Sequence, residues 1–257
     1  MSQRALDAAV DAARAAGRIA LKYFRGGFEV AKKPDDTPVT QADREAEQTI
    51  VEILGRAFPD YGVLGEEFGA HGAKEVRWII DPIDGTKNFV RGIGFWATLI
   101  ALEEHGEVTV GVIHNPVTAE LYTARRGGGA HLNGERIRVS EITKLGEATL
   151  VHAGLRPLHT TRYWDGFLRL VDATDRQRGF GDYAGYCLVA EGKAEIYAEI
   201  YPEGAGLKPW DLAACKILVE EAGGRFTDVD GRRTIYTSTA LATNGRVHDA
   251  ALALLSP

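Results

Sequence analysis

The first periodic stretch of the chain is 5–24. Leu6, Val10, Ala13, Gly17, Leu21 and Phe24 recur near helical spacing and Gly26-Gly27 ends the pattern, which predicts an amphipathic helix. Residues 28–39 (FEVAKKPDDTPV) lose the period and read as an extended, turn-rich loop. Thr40 has the chemistry of an N-cap. Ala46, Ile50, Ile53, Leu54 and Phe58 then form the apolar stripe of a second helix, closed by Pro59. From Val63 the pattern is that of strands. A short buried strand at 76–80 (VRWII) runs into DPIDGT, and 95–102 and 108–114 follow, joined by a turn at His105-Gly106. Residues 121–124 and 127–140 read as a meander with Asn133-Gly134 as its hairpin turn. Near Leu145-Gly146 the alternation changes. Strands at 149–155, 178–181 and 194–200 are separated by helices, 212–221 is an amphipathic helix ended by Gly223-Gly224, and 249–255 is a last short helix. This order implies two layered subdomains, 1–145 and 146–257, that share a cleft.

Composition narrows the class. With 257 residues, 45% of them apolar, the chain can bury a sizeable core and is not a disordered one. Its formal net charge of −6 argues against a nucleic-acid binder, which shows a basic stripe. Two cysteines, Cys187 and Cys215, are too few for a disulfide framework and fit a reduced, cytoplasmic setting. The longest apolar run, FWATLIAL at 95–102, is far shorter than the roughly 20 residues of a membrane span. Residues 1–25 carry Asp7, Asp11 and scattered Arg and have no apolar core of a secretory signal.

The chemistry concentrates in W-I-I-D-P-I-D-G-T. An apolar strand delivers Asp81 to its end, Pro82 stiffens the exit, and Asp84 follows where the chain turns. If 86–89 opens a helix, the N–H groups of Gly85 and Thr86 point out of it as an anion site. Two carboxylates would repel a phosphate there unless a cation sits between them, and hard dications take oxygen ligands and bridge carboxylate to phosphate. The plainer alternative is a turn in which Asp84 caps a helix. Two further acidic features lie nearby in pattern: Glu66-Glu67, after the 63–64 strand, and Asp211, at the start of the 212–221 helix. Their plainer alternatives are a solvated turn and a first-turn carboxylate favoured by the helix dipole. Thr40-x-x-Asp43 is either a capping-box-like start or a way to bring Asp43 to the Thr86 hydroxyl, where the pair orients and deprotonates a water. The seven histidines show no H-x-H or H-E-x-x-H spacing, so zinc is not expected.

Taken together, GEE (65–67), WIIDPIDGTKNF (78–89) and PWDLAACKILVEEAGG (209–224) resemble the inositol monophosphatase-like phosphatases, over nearly the whole chain. The resemblance implies an α+β fold, a layered αβαβα sandwich whose two subdomains share a metal cleft, and Mg²⁺-dependent hydrolysis of a small phosphate monoester. It implies two or three Mg²⁺ per site, with Mn²⁺ as a substitute. By the same resemblance Glu66, Asp81, the carbonyl of Ile83, Asp84 and Asp211 are metal ligands. Thr86 with Asp43, and Glu66, position the attacking water. Gly85 and Thr86 donate N–H groups to phosphate, Glu67 has a supporting role, and the protein is a homodimer.

Within the family, VTQADREAE (39–47), KNFVRGIGFWATLIAL (87–102), RGFGDYAGYCLVAEGKAEI (178–196) and LKPWD (207–211) resemble the histidinol-phosphate phosphatase branch. L-Histidinol phosphate, which carries a cationic amine, is then the expected substrate. Asp182 is placed to pair with that amine, its alternative being an N-cap of a helix over 183–191. Glu203, in a glycine-rich loop that departs from the family pattern, is a second candidate. Inositol-1-phosphate or a range of sugar phosphates is the alternative substrate, and a non-catalytic phosphate-ligand sensor the alternative class. Lys32 and Lys33 are either near the phosphate or solvated loop charges, and Arg91 either binds phosphate or packs over Phe95.

Overall fold

The computed structural model describes residues 2–26, 30–32 and 38–256. Its first half runs α1 (Ser2–Gly26), β1 (Val30–Lys32), β2 (Pro38–Thr40), α2 (Gln41–Ala57), β3 (Gly62–Gly65), β4 (Gly69–His71), β5 (Val76–Asp84), α3 (Thr86–Val90), β6 (Ala97–Glu104), β7 (Glu107–Asn115), β8 (Glu120–Arg125), β9 (Gly129–Leu132) and β10 (Glu135–Ile137). A 3₁₀ turn (Leu145–Glu147) leads to β11 (Thr149–His152), α4 (Leu155–His159), α5 (Trp164–Ala173), β12 (Arg176–Gly179), α6 (Asp182–Ala190), β13 (Ile196–Ile200), α7 (Pro209–Glu221), β14 (Arg225–Thr227), β15 (Thr239–Thr243) and α8 (His248–Leu255).

Strand periodicity sets the layers, because successive side chains face opposite sides of a sheet. The larger sheet has eight strands in the order β10-β9-β8-β7-β6-β5-β3-β4, and all its pairs are antiparallel except β3 with β5. On one face Trp78, Ile80, Ile100, Leu102, Val110 and Val112 pack with the alanine-rich stripe of α1 (Ala5, Ala9, Ala12, Ala13, Ala16) and with Ile50 and Leu54 of α2. The alternate residues Ile79, Leu99, Ala101 and Ile113 meet α6 and α7, which rest in turn on Tyr197 and Ala242 of the second sheet. That sheet, β12-β11-β13-β15-β14, turns Leu150, Ile196, Ala198 and Leu241 away toward Phe167 and Leu170 of α5 and Ala251 and Leu255 of α8. The result is the expected αβαβα sandwich.

Several elements differ from the expectation for identifiable reasons. The 212–221 helix is not amphipathic in its setting. Every residue from Leu212 to Val219 is buried, because α7 lies between two sheets and has no solvent face. The loop expected at 28–39 contains a short antiparallel pair, Val30–Lys32 with Pro38–Thr40. Lys33 lies outside the described residues, and nothing is described of the side chains of Lys32 and Thr40. The strand expected at 95–102 starts at Ala97, and the strand expected at 149–155 stops at His152, where Gly154 leads into α4. The strand expected at 178–181 runs Arg176–Gly179. The strand expected at 76–80 continues to Asp84 through an irregularity that shapes the site.

Candidate active site

β5 pairs Asp81 with Leu99 and Asp84 with Ala97, so three residue steps on β5 face two on β6. This is a bulge. In a regular strand, side chains three positions apart face opposite sides. The extra residue cancels that alternation, and Asp81 and Asp84 both line the same cleft. The bulge is held by its own polar groups: Asp81 Oδ1 accepts the N–H of Ile83 (3.0 Å), and the Thr98 hydroxyl donates to the Pro82 carbonyl (2.9 Å). Asp211, in the first turn of α7, caps its own helix by accepting the Lys208 N–H on Oδ2 (2.6 Å) and also lines the cleft. A ligand oxygen from each of Asp81, Asp84 and Asp211 lies within 4.8 Å of the others.

The cleft encloses about 420 Å³, and Glu66, Ile83, Gly85, Thr86 and Asp182 also line it. The Thr86 hydroxyl donates to the Ile83 carbonyl (3.0 Å). Asp84 is not a helix cap. Gly85 occupies the cap of α3 in the left-handed region (φ 82°), and Asp84 Oδ2 instead accepts the N–H of Tyr183 (2.8 Å) across the cleft. A side chain at Gly85 would come within 3.3 Å of Asp182 Oδ2 and 3.0 Å of the Phe95 carbonyl, so only glycine fits the turn. Asp182 is not a cap either. It is the first residue of α6, at φ 56°, a region costing a non-glycine residue about 1 kcal/mol or more. Its Oδ2 accepts the Asn88 amide (3.1 Å), which also donates to the Phe95 carbonyl (3.0 Å).

Asp43 is buried in the first turn of α2. Glu203 is exposed on the loop after β13, whereas the acid that reaches the cleft is Glu199, four residues earlier. The reason is strand geometry: Glu199 shares the inner face of β13 with Tyr197, and the chain leaves the sheet after Ile200. Glu199 is buried and accepts the Tyr186 hydroxyl (2.9 Å). Its signal was present as a carboxylate in phase with Tyr197 in A-E-I-Y-A-E-I. Tyr201, Lys87 and Trp210 complete that wall, and Arg91 is exposed outside it. Glu47 was also missed. It is a fully buried acid on the apolar stripe of α2, accepting the N–H groups of Glu67 (2.9 Å) and Phe68 (3.0 Å).

The electrostatics follow from gathering acids out of water. Burial raises Asp81 and Asp84 well above the carboxylate range, reinforced by the charges of Glu66 and Asp84 on Asp81 and of Asp182 and Asp211 on Asp84. Burial and the Glu66 charge push Asp211 up to about 7, while burial and Asp182 push Glu199 up to about 8. Burial raises Asp182, with Lys87 opposing. Burial likewise lifts Glu47 to about 7 against its two N–H bonds. Such a cluster must hold protons or cations. Its all-oxygen donor set, at this spacing, fits hard divalent ions.

The chain matches the inositol monophosphatase family over residues 1–256. It is 45% identical over 235 residues to a histidinol-phosphatase of Mycobacterium tuberculosis, covering 89% of this chain and 88% of that one. It is 36% identical over 255 residues to an inositol-1-monophosphatase of Mesorhizobium japonicum, covering 96% and 94%. The crystal structure of the extragenic suppressor protein suhB of Bartonella henselae superposes with a TM-score of 0.89 at 35% identity, covering 98% of both chains. A match of this length, with relatives of these identities along most of their own chains, means that the protein belongs to the inositol monophosphatase family and is a phosphatase of that family.

Proposed function

We propose that the protein hydrolyses L-histidinol phosphate to L-histidinol and phosphate, with Mg²⁺ held by Glu66, Asp81, Asp84, Asp211 and the Ile83 carbonyl. Bound Mg²⁺ supplies positive charge for the phosphate and acidifies a water. The chain's own groups do the rest. Thr86, with Asp43, and Glu66 orient the attacking water, and the N–H groups of Gly85 and Thr86 donate to phosphate oxygens. Asp182 and Glu199 take the ammonium group of the substrate. The reading includes a homodimer whose subdomains, 1–145 and 146–257, share the cleft. No helix among the described residues is long and apolar enough to cross a membrane.

One observation carries the substrate choice. Beyond the acids assigned to the metal, the cleft has a second pair, Asp182 and Glu199, and burial holds both above their ordinary pKa. A cationic substrate supplies counter-charge to such a pair and a neutral polyol does not. The naming of the Mycobacterium tuberculosis relative supports the same choice. The test is kcat/KM with MgCl₂ for L-histidinol phosphate and for inositol-1-phosphate. A preference of at least about tenfold for the former is expected, the worth of one charge-assisted contact. The reverse preference overturns the substrate, and release of no phosphate from either ester turns the reading to a ligand sensor.

A further inference from the structure

We infer that Glu47 is a positioning residue for the metal site: its carboxylate clamps the backbone turn that carries Glu66. The inference rests on the reading of Glu66 as a metal ligand. Three consecutive N–H groups of the turn are fixed. The N–H of Glu66 donates to the Ile80 carbonyl (3.2 Å), and those of Glu67 and Phe68 donate to Oε2 (2.9 Å) and Oε1 (3.0 Å) of Glu47. Both oxygens of one carboxylate therefore serve adjacent residues of one turn, twenty positions away in sequence. The preceding residue is shaped to admit the clamp. A side chain at Gly65 would sit 2.0 Å from Glu47 Oε1 and 2.6 Å from its Cδ, so only glycine lets the carboxylate reach past it. Gly65 is paired with Ile80, which puts the turn beside Asp81, the next residue of β5.

Stability alone is a poor reason for this arrangement. Glu47 is fully buried on a helix face that also carries Ala42, Asp43, Ala46, Ile50 and Leu54, and a second buried carboxylate on such a face is costly beside an apolar residue. What the two charge-assisted bonds supply is a fixed direction for a short turn with an exposed neighbour, Phe68. Groups that hold a ligand in place typically carry about 10- to 100-fold of metal affinity.

Metal binding is read without substrate, from the rise of the melting temperature of the full chain with MgCl₂ concentration, for wild type, Glu47→Gln, Glu66→Gln and the double variant. Glu47→Gln keeps the shape and one acceptor but turns an N–H₂ group toward the second backbone donor. We expect it to melt cooperatively without metal and to need about 10- to 100-fold more MgCl₂ for half the rise. Its kcat at saturating MgCl₂ should return to near the wild-type value, a recovery that general loosening of the fold would not allow. The double variant should bind no more weakly than Glu66→Gln, because both changes act through one ligand. A midpoint within twofold of wild type for Glu47→Gln, or additive losses in the double variant, overturns the inference. Should Glu47→Gln fail to fold, Glu47→Asp keeps the carboxylate and draws it back by one methylene; an intermediate midpoint supports the clamp and an unchanged one overturns it. An unaltered midpoint in Glu66→Gln removes the ligand assignment itself, and is distinguishable from a failure of Glu47 alone.

Discussion

The two acidic walls of the cleft are built in different ways. Asp81 and Asp84 stand on one bulged strand, three residues apart, and Asp211 is locked to the first turn of a helix buried on all sides. The facing acids come from separate elements: Asp182 from a left-handed residue opening α6, and Glu199 from the inner face of β13. The first wall is rigid because the sheet and α7 set its geometry. The second depends on cross-cleft bonds, from Asn88 to Asp182 and from Tyr183 to Asp84. Groups for chemistry and groups for selection that sit on different elements can change independently of one another. If the walls divide the work this way, changes in the first should alter turnover of every ester alike, and changes in the second should alter the choice among esters.

The largest expected effect is in the first wall. Glu66, Asp81 and Asp211 remain in Asp84→Asn, and its amide oxygen can still accept the Tyr183 N–H, so the fold should be kept. Loss of one charged ligand should lower kcat at least about 100-fold, and equally for L-histidinol phosphate and inositol-1-phosphate. Steady-state kinetics on both esters check it. Turnover near wild type would remove Asp84 from the metal site, and unequal losses would break the division between the walls.

That division also tracks what could be read from the chain. Two acids of the first wall lie in one short motif, D-P-I-D-G-T, and the third is marked by P-W-D at a helix start. For the first two, neighbours in the chain are neighbours in space. The layers were legible for a similar reason, since Trp78/Ile80 against Ile79 is a two-residue alternation that any sheet must obey. The bulge was not legible, because nothing in the residue types distinguishes a strand that ends at Ile80 from one that continues irregularly to Asp84. Nor was the buried setting of α7, which depends on a second sheet closing over it. Glu199 and Glu47 do not stand out in the sequence because each is a single acid among mostly apolar neighbours in its element. Their partners show what they hold: Tyr186 for one, the N–H groups of Glu67 and Phe68 for the other.

Glu199→Gln sharpens the comparison from the second wall. The amide oxygen can still accept the Tyr186 hydroxyl, so packing is kept while the charge is lost. We expect kcat/KM for L-histidinol phosphate to fall about tenfold or more, by loss of one charge-assisted contact, with inositol-1-phosphate changed less than about threefold. An equal fall for both esters would make Glu199 a general support of the cleft and end its assignment to the ammonium group.

The smallest expected effect separates the walls by pH. Asp211 and Glu199 have folded pKa values of about 7 and about 8, above the ordinary carboxylate range they regain on unfolding. Between about pH 4 and 8 the folded state therefore binds more protons than the unfolded one. Stability contributed by these groups is fully present below their unfolded pKa and is lost as pH rises, at up to about 1.4 kcal/mol per pH unit for each proton. In a chelator, the melting temperature relative to a pH 5 reference should fall by about 10 °C or more toward pH 8, at about 2–4 °C per kcal/mol for a chain of this size. Saturating MgCl₂ should remove the part due to Asp81, Asp84 and Asp211, since the cation replaces their protons. The slope that survives belongs to groups the metal does not touch, and Glu199→Gln should flatten it further. Scanning calorimetry across that range, with and without MgCl₂, measures both parts. A surviving slope unchanged in Glu199→Gln would mean that Glu199 is not held protonated, and that the second wall does not wait for a cation to supply its charge.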